Sequence, residues 1–309
     1  MLINNNNKDR VVITGGSGFI GSNLLRHLYN DGYSNLIVID KHKPEMKDVN
    51  FVEGDFSDIK LLESVIMKDD IVVHLACTTI PFASEQNKEK DIRENVLGTL
   101  RLLEVCREKK IKKIIFLSSG GTVYGTISKK AKENQETKPI NAHGLMKLMI
   151  EKYIELFNHL YGLNYVIIRL SNPYGRKVNN KRKQGIIDIF LKKILNDEVI
   201  EIWGDGNIVR DYIYIDDFTE LFVKIIKKNF VNQIVNAGTG IGTSINGLLK
   251  ILKKITGKQL KIKCSESRNF DLPYNVLDNN KALRLLAWHP KIKIEDGIKK
   301  IYNSKVEKF

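Results

Sequence analysis

No apolar run in the 309-residue chain reaches the roughly 18–20 residues that a bilayer-crossing helix needs, which argues against a helical membrane protein. The first ten residues, MLINNNNKDR, lack the apolar core of a secretory leader, so a cytoplasmic location and no membrane partner are expected. Cysteine is scarce and odd in number. Cys77, Cys106 and Cys264 lie far apart, and no Cys-x-x-Cys pair or Cys/His cluster accompanies them. That spacing points to reduced, mostly buried thiols and to no metal site. The net charge is +14, yet no recognised nucleic-acid-binding motif is present. The lysines are scattered, as in KIIKKN, ILKKITGK and DGIKKI, along apparent helix faces. Such a pattern marks a solvated surface, and no nucleic-acid partner is expected.

What is present is an alternation. Short β-branched runs, VVIT at 11–14, LIVID at 36–40, IVVHLA at 71–76, KIIFLS at 113–118 and YVIIRL at 165–170, are separated by longer segments with a period near 3.6, such as FIGSNLLRHLYN and NVLGTLRLLEVCREK. Strand–helix alternation with short connections predicts a parallel sheet covered on both faces: the doubly wound α/β (Rossmann) architecture. After about Leu170 the rhythm loosens into a loop over 171–185, a helix over 186–196, short strands and three more helix-like stretches. The expected division is a nucleotide-binding domain over 1–170 and a smaller C-terminal α/β substrate lobe over 171–309, with part of 211–236 returning to the main sheet. The chain shows no internal repeat.

Thr14-Gly15-Gly16-Ser17-Gly18-Phe19-Ile20-Gly21 follows the first strand directly and opens the first helix. Glycines at 15, 18 and 21 let the backbone turn tightly and approach a pyrophosphate, while the helix start offers free N–H groups and a positive dipole end. A three-glycine pattern alone is weak; here strand, loop and helix come in the required order. Asp40 ends the second strand, 19 residues beyond Gly21. An acid there can accept hydrogen bonds from both ribose hydroxyls of NAD and would repel the extra phosphate of NADP. A turn-forming Asp is the plainer reading, and Lys41 and His42 leave room for NADP; NAD is the expected cofactor. A positive surface would help to attract a diphosphate-bearing ligand.

Further motifs run the length of the chain: Gly54-Asp55, His74-Leu75-Ala76, Asn95-Val96-Leu97-Gly98-Thr99, Ser118-Ser119-Gly120-Gly121-Thr122-Val123-Tyr124-Gly125, Arg169-Leu170-Ser171-Asn172-Pro173-Tyr174-Gly175, Arg210-Asp211-Tyr212-Ile213-Tyr214-Ile215-Asp216-Asp217 and Asn236-Ala237-Gly238. Together with the Gly-x-x-Gly-x-x-Gly spacing they resemble the NAD-dependent epimerase/dehydratase family of extended short-chain dehydrogenases/reductases, above all its UDP-glucose and UDP-N-acetylglucosamine 4-epimerases. The resemblance implies that Gly15, Gly18, Phe19, Ile20, Gly21, Asp40, Asp55, Phe56, Leu75, Ala76, Asn95 and Lys147 hold NAD. It also implies that Tyr124, Asn172, Arg210 and Arg268 hold a UDP-sugar, the two arginines clamping the diphosphate because a planar guanidinium matches phosphate oxygens.

Two departures bear on the chemistry. The family's Tyr-x-x-x-Lys stands here as His143-Gly144-Leu145-Met146-Lys147, and its Ser or Thr three residues before Val-Tyr-Gly is replaced by Gly120. By resemblance His143, Lys147 and Thr122 form the catalytic set, with Thr122 as the nearest substitute hydroxyl. A tyrosinate goes from negative to neutral on taking a proton. Imidazole goes from neutral to positive beside a lysine, which depresses its basicity. Three outcomes stay open: His143 as a working base, an impaired cofactor-bound sensor or scaffold, or transfer of the role to Tyr124 or a water. Gly121-Thr122 stand where nucleotide-sugar dehydratases carry Asp-Glu, which argues against dehydration. The leading expectation is NAD-dependent 4-epimerisation of a UDP-hexose or UDP-N-acetylhexosamine, in polysaccharide biosynthesis; a nucleotide 4-keto-sugar reductase is the enzymatic alternative. Asn275 corresponds to a pocket position that is bulky in glucose-restricted epimerases, so N-acetylhexosamines are expected to fit. Apolar stripes over 89–109 and 140–159 predict a homodimer.

Overall fold

The computed structural model describes residues 9–79, 81–175, 185–267 and 271–306. The first half builds β1 (Val11–Thr14), α1 (Phe19–Asn30), β2 (Leu36–Asp40), β3 (Asn50–Glu53), α2 (Ile59–Val65), β4 (Ile71–His74), α3 (Pro81–Gln86), α4 (Lys88–Asp91), a π-helical turn (Ile92–Leu97), α5 (Gly98–Glu108), β5 (Lys113–Ser119), α6 (Ala142–Tyr161) and β6 (Tyr165–Leu170). β1, β4 and β6 are buried along their whole length. Strands covered on both faces read as continuous apolar runs rather than alternating ones, and this is why they stand out in the sequence. α6, whose His143 and Lys147 matter below, is set at both ends. The Asn141 side chain accepts from Gly144 N–H at its start, and Gly162 takes the left-handed conformation (φ 69°) at its end.

The second half adds β7 (Asn172–Tyr174), α7 (Ile186–Leu195), β8 (Ile200–Trp203), β9 (Val209–Tyr214), α8 (Ile215–Lys227), β10 (Gln233–Ala237), β11 (Gly242–Ser244), α9 (Ile245–Thr256), β12 (Ile262–Ser265), β13 (Tyr274–Asn275), α10 (Asn280–Leu286) and α11 (Ile294–Val306). Of the loop expected over 171–185, residues 176–184 lie outside the described residues.

Seven parallel strands form the main sheet in the order β10-β6-β5-β4-β1-β2-β3. One apolar cluster fills each face. Leu24, Leu28, Phe218 and Phe222 belong to one; Leu102, Ile150 and Ile154 belong to the other. The order reverses between β1 and β4, and the crevice at such a switch point is where ligands bind in open α/β sheets. Within 211–236 the chain divides at Tyr214. β9 stays in the small sheet, paired with β7, β11 and β13, whereas α8 packs on α1 and leads to β10 at the edge of the main sheet. His27 Nδ1 to Thr219 Oγ1 (2.9 Å) and Lys227 to Asp31 (2.7 Å) tie α1 to α8.

Candidate active site

At the mouth of β1, Gly15 has φ +76°, and a Cβ there would lie 2.7 Å from the Ala76 amide nitrogen. Glycine is required on both counts: left-handed backbone and close approach. A Cβ at Gly21 would meet the Gly15 carbonyl oxygen at 2.6 Å. Gly18 is the N-cap of α1 and contributes no side-chain cap. The first intrahelical bond runs from Ser22 N–H to Gly18 O (2.9 Å). The N–H groups of Phe19, Ile20 and Gly21 therefore have no acceptor within the helix and stand available to an anion. Leu75 and Ala76 form the opposite wall with their backbone, Leu75 N–H donating to Thr14 O (3.1 Å).

Asp40 Oδ2 accepts from Ser17 N–H (3.0 Å) and Oδ1 from His42 N–H (3.1 Å). It forms a turn and pins the glycine loop to the end of β2, and both oxygens keep lone pairs for further donors. Asp55 accepts from Ser57 N–H (2.9 Å) and pairs with Lys41 (2.7 Å). Burial alone would raise its pKa; the hydrogen bonds from Lys41 and Ser57 outweigh that and hold it below the usual carboxylate range. These groups fit a dinucleotide: free amides for a pyrophosphate and a carboxylate for ribose.

Two residues that the resemblance places at the cofactor have other partners. The Asn95 amide oxygen accepts from Thr78 N–H (2.9 Å) and Thr78 Oγ1 (3.3 Å), while its nitrogen donates to Thr79 Oγ1 (3.1 Å) and Asp91 Oδ1 (2.8 Å). Its hydrogen-bonding capacity is filled. Asn95, in the π-helical turn, thus holds the loop after β4 in place instead of offering an amide to a ligand. The Phe56 ring is buried beside His74 (centroids 5.0 Å), so its side chain is core packing.

His74 itself joins three elements. Thr99 Oγ1 donates to Asn95 O (2.6 Å) and so accepts from His74 Nε2–H (3.0 Å); Nδ1 then accepts from Thr14 Oγ1 (2.7 Å). Burial, then the Lys147 charge, push its pKa down to about 3. The folded state therefore binds fewer protons than the unfolded one between pH 3 and 6.5, and stability present at neutral pH is lost as pH falls through that window. Wild type should lose stability on acidification from pH 6.5 to 4 by more than a His74→Gln variant does. Equal losses in urea titrations at the two pH values would refute this.

Along α6, His143, Lys147 and Glu151 follow at one-turn intervals on the buried face. Glu85 of α3 accepts the Ala142 N–H at the helix start. Lys147 Nζ donates to Leu117 O (3.0 Å) and lies 4.8 Å from the centre of the Phe116 ring. His143 is buried, with Nδ1 enclosed and unpartnered, and burial followed by the Lys147 charge lowers its pKa to about 3. Thr122 Oγ1 is also enclosed without a partner. α6 reaches this turn because Gly144 has no side chain: a Cβ would lie 2.6 Å from Thr122 O. Below, Glu151 takes the Ser118 hydroxyl and an ion pair from Arg169 (2.6 Å). Tyr124 is not available to a ligand. It is 1% exposed, its hydroxyl donates to Asn236 Oδ1 (2.7 Å), and burial raises its pKa to about 12. That rules against it as a substitute base.

On the small sheet, Asn172 Nδ2 donates to Asp211 O (3.0 Å), and Arg210 Nη1 donates to Leu272 O (2.6 Å). Asp211, which the sequence singles out only as part of a motif, is fully buried. It accepts from Thr239 N–H (2.9 Å), Thr239 Oγ1 (2.6 Å), Gly240 N–H (3.1 Å) and Leu277 N–H (3.3 Å), binding β9 to the loop after β10. Arg268 lies outside the described residues. Asn275 is fully buried, and its amide donates to Gly120 O (2.9 Å).

Residues 11–238 match the model of the NAD dependent epimerase/dehydratase family. The chain belongs to that family. A Methanocaldococcus jannaschii protein that carries the name UDP-glucose 4-epimerase provisionally is 37% identical, over 95% of this chain and 97% of its own. The dTDP-4-dehydro-6-deoxyglucose reductase of Escherichia coli is 32% identical, over 96% and 98%. The UDP-glucose 4-epimerase of Thermotoga maritima, solved with UDP-glucose, superposes with a TM-score of 0.89 at 34% identity, over 96% of this chain and 99% of that one.

In this member of the family the glycine loop joins β1 to α1, Asp40 ends β2, and Lys147 lies on the buried face of α6. Three features have no signal in the sequence: Glu85 at the α6 N-terminus, the Glu151–Arg169 pair, and the Thr14–His74–Thr99 link. Each joins residues brought together by the fold. Only the four-residue step from Lys147 to Glu151 is local enough to be seen beforehand.

Proposed function

We propose that the chain catalyses NAD-dependent 4-epimerisation of a UDP-hexose or UDP-N-acetylhexosamine. The observation that carries this reading is a pair of enclosed polar atoms without partners, Thr122 Oγ1 and His143 Nδ1, at the start of α6 one turn from Lys147. A buried polar atom without a partner is costly, and a side-chain shift that opened this turn would let a ligand hydroxyl supply one. When bound, NAD would take a hydride from C4 of the sugar and return it to the opposite face. Thr122 orients the C4 hydroxyl, His143 takes its proton, and Lys147 is the fixed positive charge beside the cofactor ribose. Arg210, Asn172 and Arg268 hold the diphosphate. Asn275, expected from the sequence to shape the sugar pocket, is fully buried with its amide on the Gly120 carbonyl, so its size does not bear on acceptance of an acetamido group.

The test is direct. Wild type incubated with UDP-glucose or UDP-N-acetylglucosamine should form the 4-epimer with no net change in cofactor redox state. No product from wild type or from His143→Tyr would sink the reading. The reductase reading is favoured by the similarity to the E. coli enzyme; it demands stoichiometric consumption of reduced cofactor with a nucleotide 4-keto sugar.

The cradle makes a sharper demand. Gly15→Ala forces an L-residue into a left-handed backbone at φ +76° against Ala76. NAD affinity should fall by at least ~10-fold by calorimetric titration, the equivalent of about 1.4 kcal/mol; unchanged binding would place the cofactor elsewhere.

We also propose that the enzyme is a homodimer through α6 and the π-helical turn leading into α5. Leu97, Leu145, Leu156 and Leu160 are exposed there at spacings that form a stripe along α6. An apolar stripe of this kind fits a second copy of the same helices. Light scattering at monomer mass would exclude it.

A further inference from the structure

Gly120 follows β5 and holds the position where the family carries a hydroxyl. Its φ is not in the left-handed range, so the backbone would accept other residues. Space decides instead. A Cβ at 120 would lie 2.6 and 3.0 Å from the two methyl carbons of Leu277 and 3.1 Å from Arg169 O.

Neither partner is free to yield. Gly120 N–H donates to Leu170 O (2.8 Å), and its carbonyl accepts from Asn275 (2.9 Å). Leu277 is fully buried among Val123, Tyr124, Ile127 and Ala131. Its backbone is held by Asp211 and by two flanking bonds, Ala131 N–H to Val276 O (2.9 Å) and Asp278 N–H to Ala131 O (2.8 Å). Close-packed interiors do not absorb an added carbon without displacement.

From this we infer that Leu277 is a positioning residue. It excludes a side chain from 120 and so makes Thr122 the hydroxyl that orients the sugar. The second half rests on the proposed epimerase reaction. Of the neighbouring hydroxyls, that of Ser118 is committed to Glu151, while Ser119 is the competitor to be excluded.

Two arms test the inference. In the stability arm, Gly120→Ala should lower Tm by at least ~3 °C in the wild-type background and by under ~1 °C beside Leu277→Ala, because added and removed volume compensate. The Leu277→Ala parent is itself less stable, through the void it opens, so each comparison is made within a background. Equal losses in both backgrounds would overturn the packing claim. In the activity arm, Thr122→Val should lower kcat by ~10²-fold with little change in KM, whereas Ser119→Ala should keep its turnover. In a Gly120→Ser/Leu277→Ala background, Thr122→Val should cost less than ~5-fold, the serine having taken over the role. The same loss in both backgrounds, or a damaging Ser119→Ala, would overturn the assignment of Thr122. A wild type without turnover would remove the epimerase reaction and Thr122's role with it; the stability arm would still decide whether Leu277 bars a side chain from 120.

Discussion

With His143 as the proposed base, its replacement by phenylalanine is expected to lower turnover in the proposed epimerisation by ~10²–10⁴-fold, the usual consequence of losing such a group. Replacing it by tyrosine should do the reverse. The imidazole lies beside the Lys147 cation in a buried site, and both effects take its pKa down to about 3. It is therefore neutral, and in its base form, across the working pH range. Yet it binds a proton weakly, which would limit its help in the proposed hydride transfer from C4. A phenolate in the same place becomes neutral on protonation, and Lys147 favours its ionised form. His143→Tyr should raise kcat by ~10-fold or more at pH 8.

The pH profiles separate the two bases. For wild type, kcat should show no limb assignable to His143 between pH 5 and 8, and should fall only as pH drops towards about 3. The tyrosine variant should gain activity with rising pH as the phenol ionises. A wild-type profile with a limb near pH 6.5 that disappears in His143→Phe would mean an ordinary exposed imidazole and refute the buried arrangement. A tyrosine variant slower than wild type at every pH would show that the histidine is adapted to its site.

The second large effect is on stability. Arg169→Met should cost about 3–5 kcal/mol in chemical denaturation at pH 7, because it leaves a buried carboxylate without its partner. Glu151 is fully buried, and Arg169 reaches it through both Nε (3.1 Å) and Nη2 (2.6 Å). The guanidinium also lies 4.8 Å from the centre of the Tyr124 ring and donates to Glu133 O (3.3 Å). Removing both charges in Glu151→Leu/Arg169→Met should recover most of the loss, since apolar groups of similar volume replace a buried pair at little net cost. An Arg169→Met protein as stable as wild type would show that the carboxylate finds other compensation. Because Glu151 sits one turn beyond Lys147 and beside Ser118, the double variant also reports whether the pair holds the catalytic end of α6 in place.

Several features follow from local order along the chain. Val11–Thr14, Leu36–Asp40 and Tyr165–Leu170 are strands because buried parallel strands need uninterrupted apolar runs, which a short window reveals. The Gly15–Gly18–Gly21 cradle depends on backbone freedom and spacing within eight residues. The juxtaposition of His143 and Lys147 needs only the four-residue step of a helix. Contacts between distant segments decided the rest. β10 joins β6 across a gap of more than sixty residues, and the division at Tyr214 between the two sheets leaves no local mark. Asn95 and Tyr124 carry family motifs, yet the fold commits their side chains to Thr78, Asp91 and Asn236. Glycine at 120 is explained by Leu277, 157 positions away, whose methyl groups fill the space of a side chain. Composition and spacing record what a residue is able to do within its own turn or strand; only packing determines which of its atoms remain unpartnered, and at this site those atoms are the ones proposed to meet the sugar.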